Sequence, residues 1–363
     1  MSAEVLILGG YGTFGKRITK ALVKANIEVI IAGRSYSKAE EFAKTLTGVE
    51  IATFDVERSL DQYLKVLKPA VVIDTCGPFQ KKDYKVARSC IENRIHYIDF
   101  ADGRDFVTHF PELDQLAQKH GVLAVSGAST VPGLSSAIIE NYKDKFSEIT
   151  SLKYGINPGQ KAERGLATTR GILSYVGKPL KPAAGSNTAI YGWQDIYRQN
   201  FPELGTRWMA NCDVPDLDLF PPRYNIKSIQ FSAGMESTAL HLGIWLCSWL
   251  IRLGIPLNLA QHSKFLLKAS HWFDWMGTDA GGMFMNFKGL DKAGKHSELS
   301  WYIIARSGDG PQIPCIPAII LTKKLLNKTI TKTGALPCVG LVSLEEYLEE
   351  LKDFNIETFE EWA

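Results

Sequence analysis

The stretch that most constrains this chain lies near its start: Val5-Leu6-Ile7-Leu8-Gly9-Gly10-Tyr11-Gly12-Thr13-Phe14-Gly15-Lys16-Arg17-Ile18. An apolar run, a glycine turn and an amphipathic opening (Ile18, Ala21, Leu22) follow without a break, the order of a buried strand, a tight loop and a helix. Gly10, Gly12 and Gly15 fit G-x-G-x-x-G. Each glycine has its own mechanical reason: a tight turn, close approach of backbone to a pyrophosphate, and close packing of helix on strand. Phosphates would sit on free N–H groups at the helix start, where the macrodipole favours negative charge. Residues 10–15, with Tyr11, Thr13 and Phe14 inside the loop, are therefore expected to bind a dinucleotide.

The next strand bears on which dinucleotide. Ile27-Glu28-Val29-Ile30-Ile31-Ala32 is apolar and β-branched, as a parallel strand covered on both faces requires, and it runs into Gly33-Arg34-Ser35. An acidic residue about 20 positions after the glycines would bond the ribose 2′-hydroxyl of NAD, whereas an arginine there suits the 2′-phosphate of NADP. Arg34 holds that place and Ser35 adds a hydroxyl. NADP(H) is expected ahead of NAD(H); the competing role for Arg34 is a solvated residue stacked on the adenine.

The alternation continues. Val49 to Val56 reads as a third strand ending at Asp55, which would accept from the adenine amino group or cap the next helix, with Val56 beside it. Ala70 to Phe79 reads as a fourth, closing in Cys76-Gly77-Pro78, a turn at a carboxyl strand end, where ligands of open α/β sheets bind. His96 to Gly103 and Val122 to Gly127 complete the set. A run of β-α units calls for a parallel sheet with right-handed crossovers. Residues 1–132 are thus expected to form a doubly wound parallel sheet. Beyond about residue 145, strand-like runs (149–156, 228–231, 282–287, 299–305) lie among long loops, so 133–335 reads as an α+β domain. A capping box at Ser343 and Glu346 opens a helix in the last segment, 336–363, expected to pack back on the first domain.

Composition enters as an exclusion. Forty-one Lys and Arg stand against 39 Asp and Glu, with no polybasic run, so a nucleic-acid partner is not expected. The six cysteines have no C-x-x-C spacing and the histidines no ligand spacing; neither a metal nor a disulfide framework is indicated, and a cytoplasmic, reducing location is expected. Ala239 to Ile251 is uncharged and mostly apolar, but Arg252 and Pro256 interrupt it before the ~20 residues a spanning helix needs. It reads as a helix buried in a domain or subunit interface; the alternative is one lying in a membrane interface, with Trp245, Trp249, Trp272 and Trp275 as belt residues.

Taken in order, Gly9 to Gly15, Ala32-Gly33-Arg34-Ser35, Cys76-Gly77-Pro78-Phe79, Tyr97-Ile98-Asp99 and Val131-Pro132-Gly133 resemble the saccharopine dehydrogenase-like family of NADP-dependent oxidoreductases, in particular its short bacterial members. The resemblance is looser over Arg164 to Leu180, Gly277 to Met283 and Gly308 to Ala318. It implies a Rossmann-like first domain, a mixed-sheet α+β domain, a homodimer and a cleft between domains taking a small-molecule substrate, with hydride passing to or from an imine, carbonyl or enoyl bond.

The proton donor should stand at the carboxyl ends of the strands. Asp102, past the fifth strand, is the first choice, because a carboxyl group partly buried beside a cofactor has a raised pKa. Asp99, Ser129, Thr130, Tyr97, Tyr175 and Cys76 are other candidates. Ser129 is expected on the substrate side; a helix opening at Thr168 or Thr169 reads as an ordinary capped helix or, alternatively, as one whose N-terminus holds an anion or substrate carboxylate, which would put Thr169 and Arg170 on the substrate side too. The rival functions are a dinucleotide sensor without turnover and a membrane-interface reductase of a lipid.

Overall fold

The computed structural model describes residues 4–80, 82–183 and 186–363, and the chain divides into two units, Met1–Ala137 with Gln312–Glu350, and Ile138–Pro311 with Leu351–Ala363. The first unit opens with β1 (Val5–Leu8), α1 (Gly15–Lys24), β2 (Val29–Gly33), α2 (Tyr36–Ala43), β3 (Val49–Thr53), α3 (Val56–Leu67), β4 (Val71–Asp74), α4 (Lys85–Glu92), β5 (His96–Asp99), α5 (Arg104–His109), α6 (Asp114–His120) and β6 (Leu123–Ser126). Every residue of β1, β4 and β6 is buried, so these short strands read as unbroken apolar runs. Helix α1 buries Ile18 and Leu22, one helical turn apart, and leaves its lysines outside.

The division between the units falls in α7 (Ser135–Tyr142). The second unit continues with β7 (Phe146–Asn157), α8 (Leu166–Leu173), β8 (Pro179–Leu180), β9 (Ile190–Tyr191), β10 (Tyr197–Phe201), β11 (Gly205–Asn211), α9 (Asp216–Tyr224), β12 (Ser228–Gly234), α10 (Thr238–Arg252), α11 (Ser263–Ser270), β13 (Gly281–Asp291) and β14 (His296–Ala305). The chain then supplies α12 (Ile316–Leu326), β15 (Gly334–Pro337) and α13 (Leu344–Leu351) to the first unit, and β16 (Ile356–Trp362) to the second.

The first sheet runs β15-β6-β5-β4-β1-β2-β3 and every neighbouring pair is parallel. Its strand order reverses between β1 and β4, the switch point at which a doubly wound sheet opens a crevice at its carboxyl edge. The second sheet, β10-β11-β12-β7-β13-β14-β16, is mixed: β12 and β7 are parallel and the other pairs antiparallel. Both the doubly wound sheet and the mixed-sheet α+β unit are as expected from the sequence.

Three boundaries differ. The expected second domain ran unbroken from 133 to 335, but residues 312–350 return to the first unit. Helix α12 is buried on nearly every side, from Ile316 through Thr322, and packs on α1; β15 extends the parallel sheet beside β6. A four-residue strand reading Gly-Ala-Leu-Pro has no alternation to reveal it, because its pairing is set by a partner about two hundred residues away in sequence. The final segment, expected to be helical, holds α13 and then the edge strand β16. There Ser343 Oγ accepts from the Glu346 amide at 3.1 Å while the Glu346 carboxylate accepts from the Ser343 amide at 2.9 Å, the reciprocal capping box read from the sequence. Finally, α8 opens at Leu166 after Gly165, not at Thr168 or Thr169. Thr169 spends its hydroxyl on the Gly165 carbonyl at 3.0 Å and Arg170 stands in the last turn, so neither offers a helix N-terminus to an anion.

Candidate functional site

The glycine loop fills the space between β1 and α1, and its glycines are required by contact. A Cβ on Gly15 would lie 2.2 Å from the Gly9 carbonyl oxygen and one on Gly10 would lie 2.6 Å from the Ile31 side chain, so both positions exclude a side chain. On Gly12 a Cβ would meet only the Gly9 carbonyl, at 3.1 Å; its outer side is open, the approach a diphosphate needs. Gly9 turns the chain with φ +76°. The Gly12 amide closes that turn on Gly9 at 2.8 Å, whereas the amides of Thr13 and Phe14 donate to no acceptor among the described residues. Thr75, past β4, donates its hydroxyl to the Leu8 carbonyl at 2.8 Å and fixes the loop across the switch point. The chain's own residues thus fit a dinucleotide diphosphate.

At the end of β2, Arg34 is exposed and forms no ion pair among the described residues. Ser35 is the N-cap of α2 but its side chain makes no capping bond; its hydroxyl lies at the positive end of that helix, sharing a hydrogen bond with the Ser37 hydroxyl at 3.2 Å. The Tyr11 hydroxyl accepts from the Ser35 amide at 3.0 Å, and its ring occupies the space a Cβ on Gly33 would need. Asp55 takes the structural one of its two expected roles: it caps α3, accepting from the Glu57 amide at 3.1 Å, with Val56 the first helical residue. Cys76 lies against Gly9, ahead of Gly77 and Pro78; burial, with Asp74 beside it, pushes its thiol well above the usual range, so it is an inert wall. Lys82 donates to the Cys76 carbonyl at 2.6 Å.

The loops after β4, β5 and β6 are tied together. Gln80 Nε2 donates to Asp102 at 3.0 Å, joining the first two. Asp99, in register with Asp74 on the neighbouring strand, joins the last two: its Oδ1 accepts from the Gly127 amide (2.8 Å), Ser126 Oγ (2.9 Å) and the Ala101 amide (3.0 Å). Phe14 of the glycine loop stacks on Phe100 with ring centroids 5.3 Å apart, bringing the loop that carries Asp102 against the diphosphate cradle. Asp102 is half-buried, and burial raises its pKa against the opposing hydrogen bond from Gln80. Ser129 is half-exposed on the loop after β6, while Tyr97 is sealed in the core with its hydroxyl on Asp74 at 3.5 Å. Thr169, Arg170 and Tyr175 belong to the second unit, Tyr175 with its hydroxyl against Cys212. Thr75, Gln80 and Asp74 escaped the sequence reading. The one available signal was that two fully apolar strands, Val-Val-Ile-Asp and Tyr-Ile-Asp, both end on a carboxylate.

Asp99 has a measurable consequence. It is fully buried, its Oδ2 has no hydrogen-bond partner among the described residues, and burial pushes it up to about 7 despite three donors on Oδ1. In an unfolded chain the same group titrates near pH 4. The native state therefore holds the proton more tightly, and rising pH removes stability at up to about 1.4 kcal/mol per pH unit until the folded value is passed. Asparagine keeps an acceptor for the loop amides and cannot ionise. Between about pH 5 and about pH 8 the stability of Asp99→Asn should rise relative to wild type by roughly 2–3 kcal/mol, read from urea midpoints. A constant difference would mean that Asp99 does not titrate there.

Comparison with known proteins agrees with this geometry. Residues 5–148 match the family model described as Saccharopine dehydrogenase NADP binding domain. Among curated proteins, glutamyl-tRNA reductase of Methanosarcina barkeri is 32% identical over 119 residues, covering 31% of this chain and 25% of that protein. The 4-hydroxy-tetrahydrodipicolinate reductase of Syntrophomonas wolfei is 24% identical over 187 residues, covering 50% of this chain and 67% of its own. The chain thus spans about a quarter of the first relative's length and about two thirds of the second's. Among solved structures, apo saccharopine dehydrogenase (L-Glu forming) from Saccharomyces cerevisiae superposes with a TM-score of 0.68 at 15% identity, covering 99% of this chain and 100% of that one, a likeness of fold.

Proposed function

We propose that this chain, whose residues 5–148 match the family model described as Saccharopine dehydrogenase NADP binding domain, is an NADP(H)-dependent oxidoreductase acting on a small imine, carbonyl or enoyl compound. The observation that carries the proposal is the glycine loop, in which two positions exclude a side chain, a third is open, and two amides are unspent. When bound, the nicotinamide supplies or accepts a hydride; the protein must bind, orient, exclude water and manage a proton. Gly10 to Gly15 would hold the diphosphate. Arg34 and the Ser35 hydroxyl at the start of α2 would take the 2′-phosphate, which needs both charge and a donor. Gly77 and Pro78 would line the same crevice. Asp102 is the proposed proton donor: burial keeps its proton, the Gln80 amide fixes its orientation, and after transfer it would be left as a carboxylate accepting that bond. Ser129, on the neighbouring loop, would orient the substrate.

Titration calorimetry with NADPH and NADH tests the binding step, and loss of NADPH absorbance across a panel of imines, ketones and enoyl compounds tests the chemistry. Absence of NADPH uptake overturns the proposal; uptake without oxidation of any member would favour a dinucleotide sensor instead. We expect Arg34→Ala to weaken NADPH by about 10–100-fold, the worth of a charge-assisted phosphate contact, and to leave NADH unchanged. Equal losses for both would make Arg34 an adenine-stacking residue.

A further inference from the structure

The second unit carries an apolar surface that the oxidoreductase reading does not use. Among the described residues, nine of the twelve exposed large hydrophobic side chains fall between 246 and 276: Leu246, Trp249, Leu253, Ile255, Leu257, Phe265, Trp272, Trp275 and Met276. Helix α10 has two faces. Ile244 and Ile251 pack on the cluster around Trp193, and His241 and Ser248 are buried at the same helical spacing. Leu246, Trp249 and Leu253 face outward. Leu259 and Leu266, in the connection and α11, pack on the same cluster, so the hairpin is anchored in its unit while its tip, residues 252–258, is exposed throughout. Water-exposed Leu253, Ile255 and Leu257 on one such tip, together with Trp272 and Trp275 at 71% and 79% exposure, make a concentration of apolar surface that soluble monomers rarely leave open.

Charge selects among the occupants of such a surface. From Thr238 to Met276 the chain carries Arg252, Lys264 and Lys268 against one acid, Asp274, and that carboxylate is spent on Arg164 at 2.5 Å and on His271 at 2.8 Å. Lys264 and Lys268, four apart on α11 on either side of exposed Phe265, form no ion pair among the described residues. A second copy would meet this face with the same two cations and no free acid. An anionic bilayer surface offers what the face lacks: negative headgroups for the lysines, an interface in which tryptophan is at home, and hydrocarbon for the tip. No described helix is long and apolar enough to cross a membrane.

We propose that α10, the connection 253–262 and α11 form a docking surface for an anionic lipid bilayer, lying in its interface without spanning it. The full chain should float with vesicles of phosphatidylcholine mixed with phosphatidylglycerol, be released by added salt, and show a blue shift of tryptophan fluorescence on binding. The double change Lys264→Glu with Lys268→Glu should weaken binding on the order of tenfold or more. The triple change Leu253→Ser, Ile255→Ser and Leu257→Ser should abolish flotation while the chain stays folded with a thermal midpoint lowered by no more than a few degrees, since Leu253 is 75% exposed and Ile255 and Leu257 lie on the exposed tip at 44% and 39%. Sedimentation of the wild-type chain away from the mixed vesicles overturns the proposal, as does flotation of the triple variant at the wild-type level. Equal flotation with phosphatidylcholine alone overturns the choice of an anionic surface. Light scattering that finds a wild-type dimer and a monomeric triple variant would assign the face to a second copy and overturn the proposal too.

Discussion

Asp102→Asn is expected to lower turnover by about 10²–10⁴-fold, the usual worth of a general acid, while NADPH affinity stays within about twofold of wild type. The substitution is nearly isosteric, and asparagine retains an oxygen to accept from Gln80 Nε2, so the bond that joins the loops after β4 and β5 survives. What disappears is the proton. In the wild-type chain, burial raises the Asp102 pKa, so the protonated form persists above the usual carboxylate range and the rate should fall as pH rises through the folded value. That alkaline limb should be missing from the variant. Steady-state rates over pH with whichever compound first oxidises NADPH, alongside calorimetry with NADPH alone, separate the outcomes. A variant that turns over at the wild-type rate, or keeps the same limb, would move the donor to another group; one that loses NADPH binding would make Asp102 part of the cradle.

Signals that are local in sequence were legible. The glycine loop could be read because its three motif glycines fall within six residues, Gly15 being closed to a side chain by Gly9 in the same loop and Gly12 left open, although Gly10 is closed by Ile31 of the next strand. The capping box could be read because both of its hydrogen bonds close over three residues. The return of residues 312–350 could not, because α12 is apolar on every face from Ile316 to Leu321 and its destination is set by the surface it covers. The expected helix start at Thr168 or Thr169 is displaced because threonine favours a cap, while the backbone opens at Leu166 behind a glycine that caps nothing with its side chain. The segment 239–251 reads as apolar from the sequence, but whether an apolar helix is covered depends on partners the pattern does not name. Asp99 shows the same limit: a strand ending in aspartate reveals a carboxylate, and only the fold reveals that one of its oxygens is buried without a donor.

In the second unit the largest expected loss of stability comes from Arg207→Ala, about 3–5 kcal/mol by denaturant unfolding, the range found when one member of a buried ion pair is removed. Arg207 on β11 is only 7% exposed and donates to Asn157 Oδ1 at 3.0 Å, to the Ala280 carbonyl at 3.1 Å and to Glu236 at 3.2 Å. Glu236 in turn gathers the amides of Gln160 (2.6 Å) and Thr278 (2.9 Å), so one ion pair fastens the loop after β7 to the loop before β13. Those loops approach so closely that a Cβ on Gly281 would lie 2.7 Å from the Gly159 nitrogen; glycine is needed there to pack backbone on backbone. Removing the guanidinium leaves the Glu236 carboxylate uncompensated and strands two further acceptors. Adding Glu236→Gln to Arg207→Ala removes the unpaired charge and keeps an acceptor for the two amides, so the double variant should be more stable than the single one. If instead the two losses add, the cost lies in the cavity left by the arginine, and Glu236 is held by its amide donors alone.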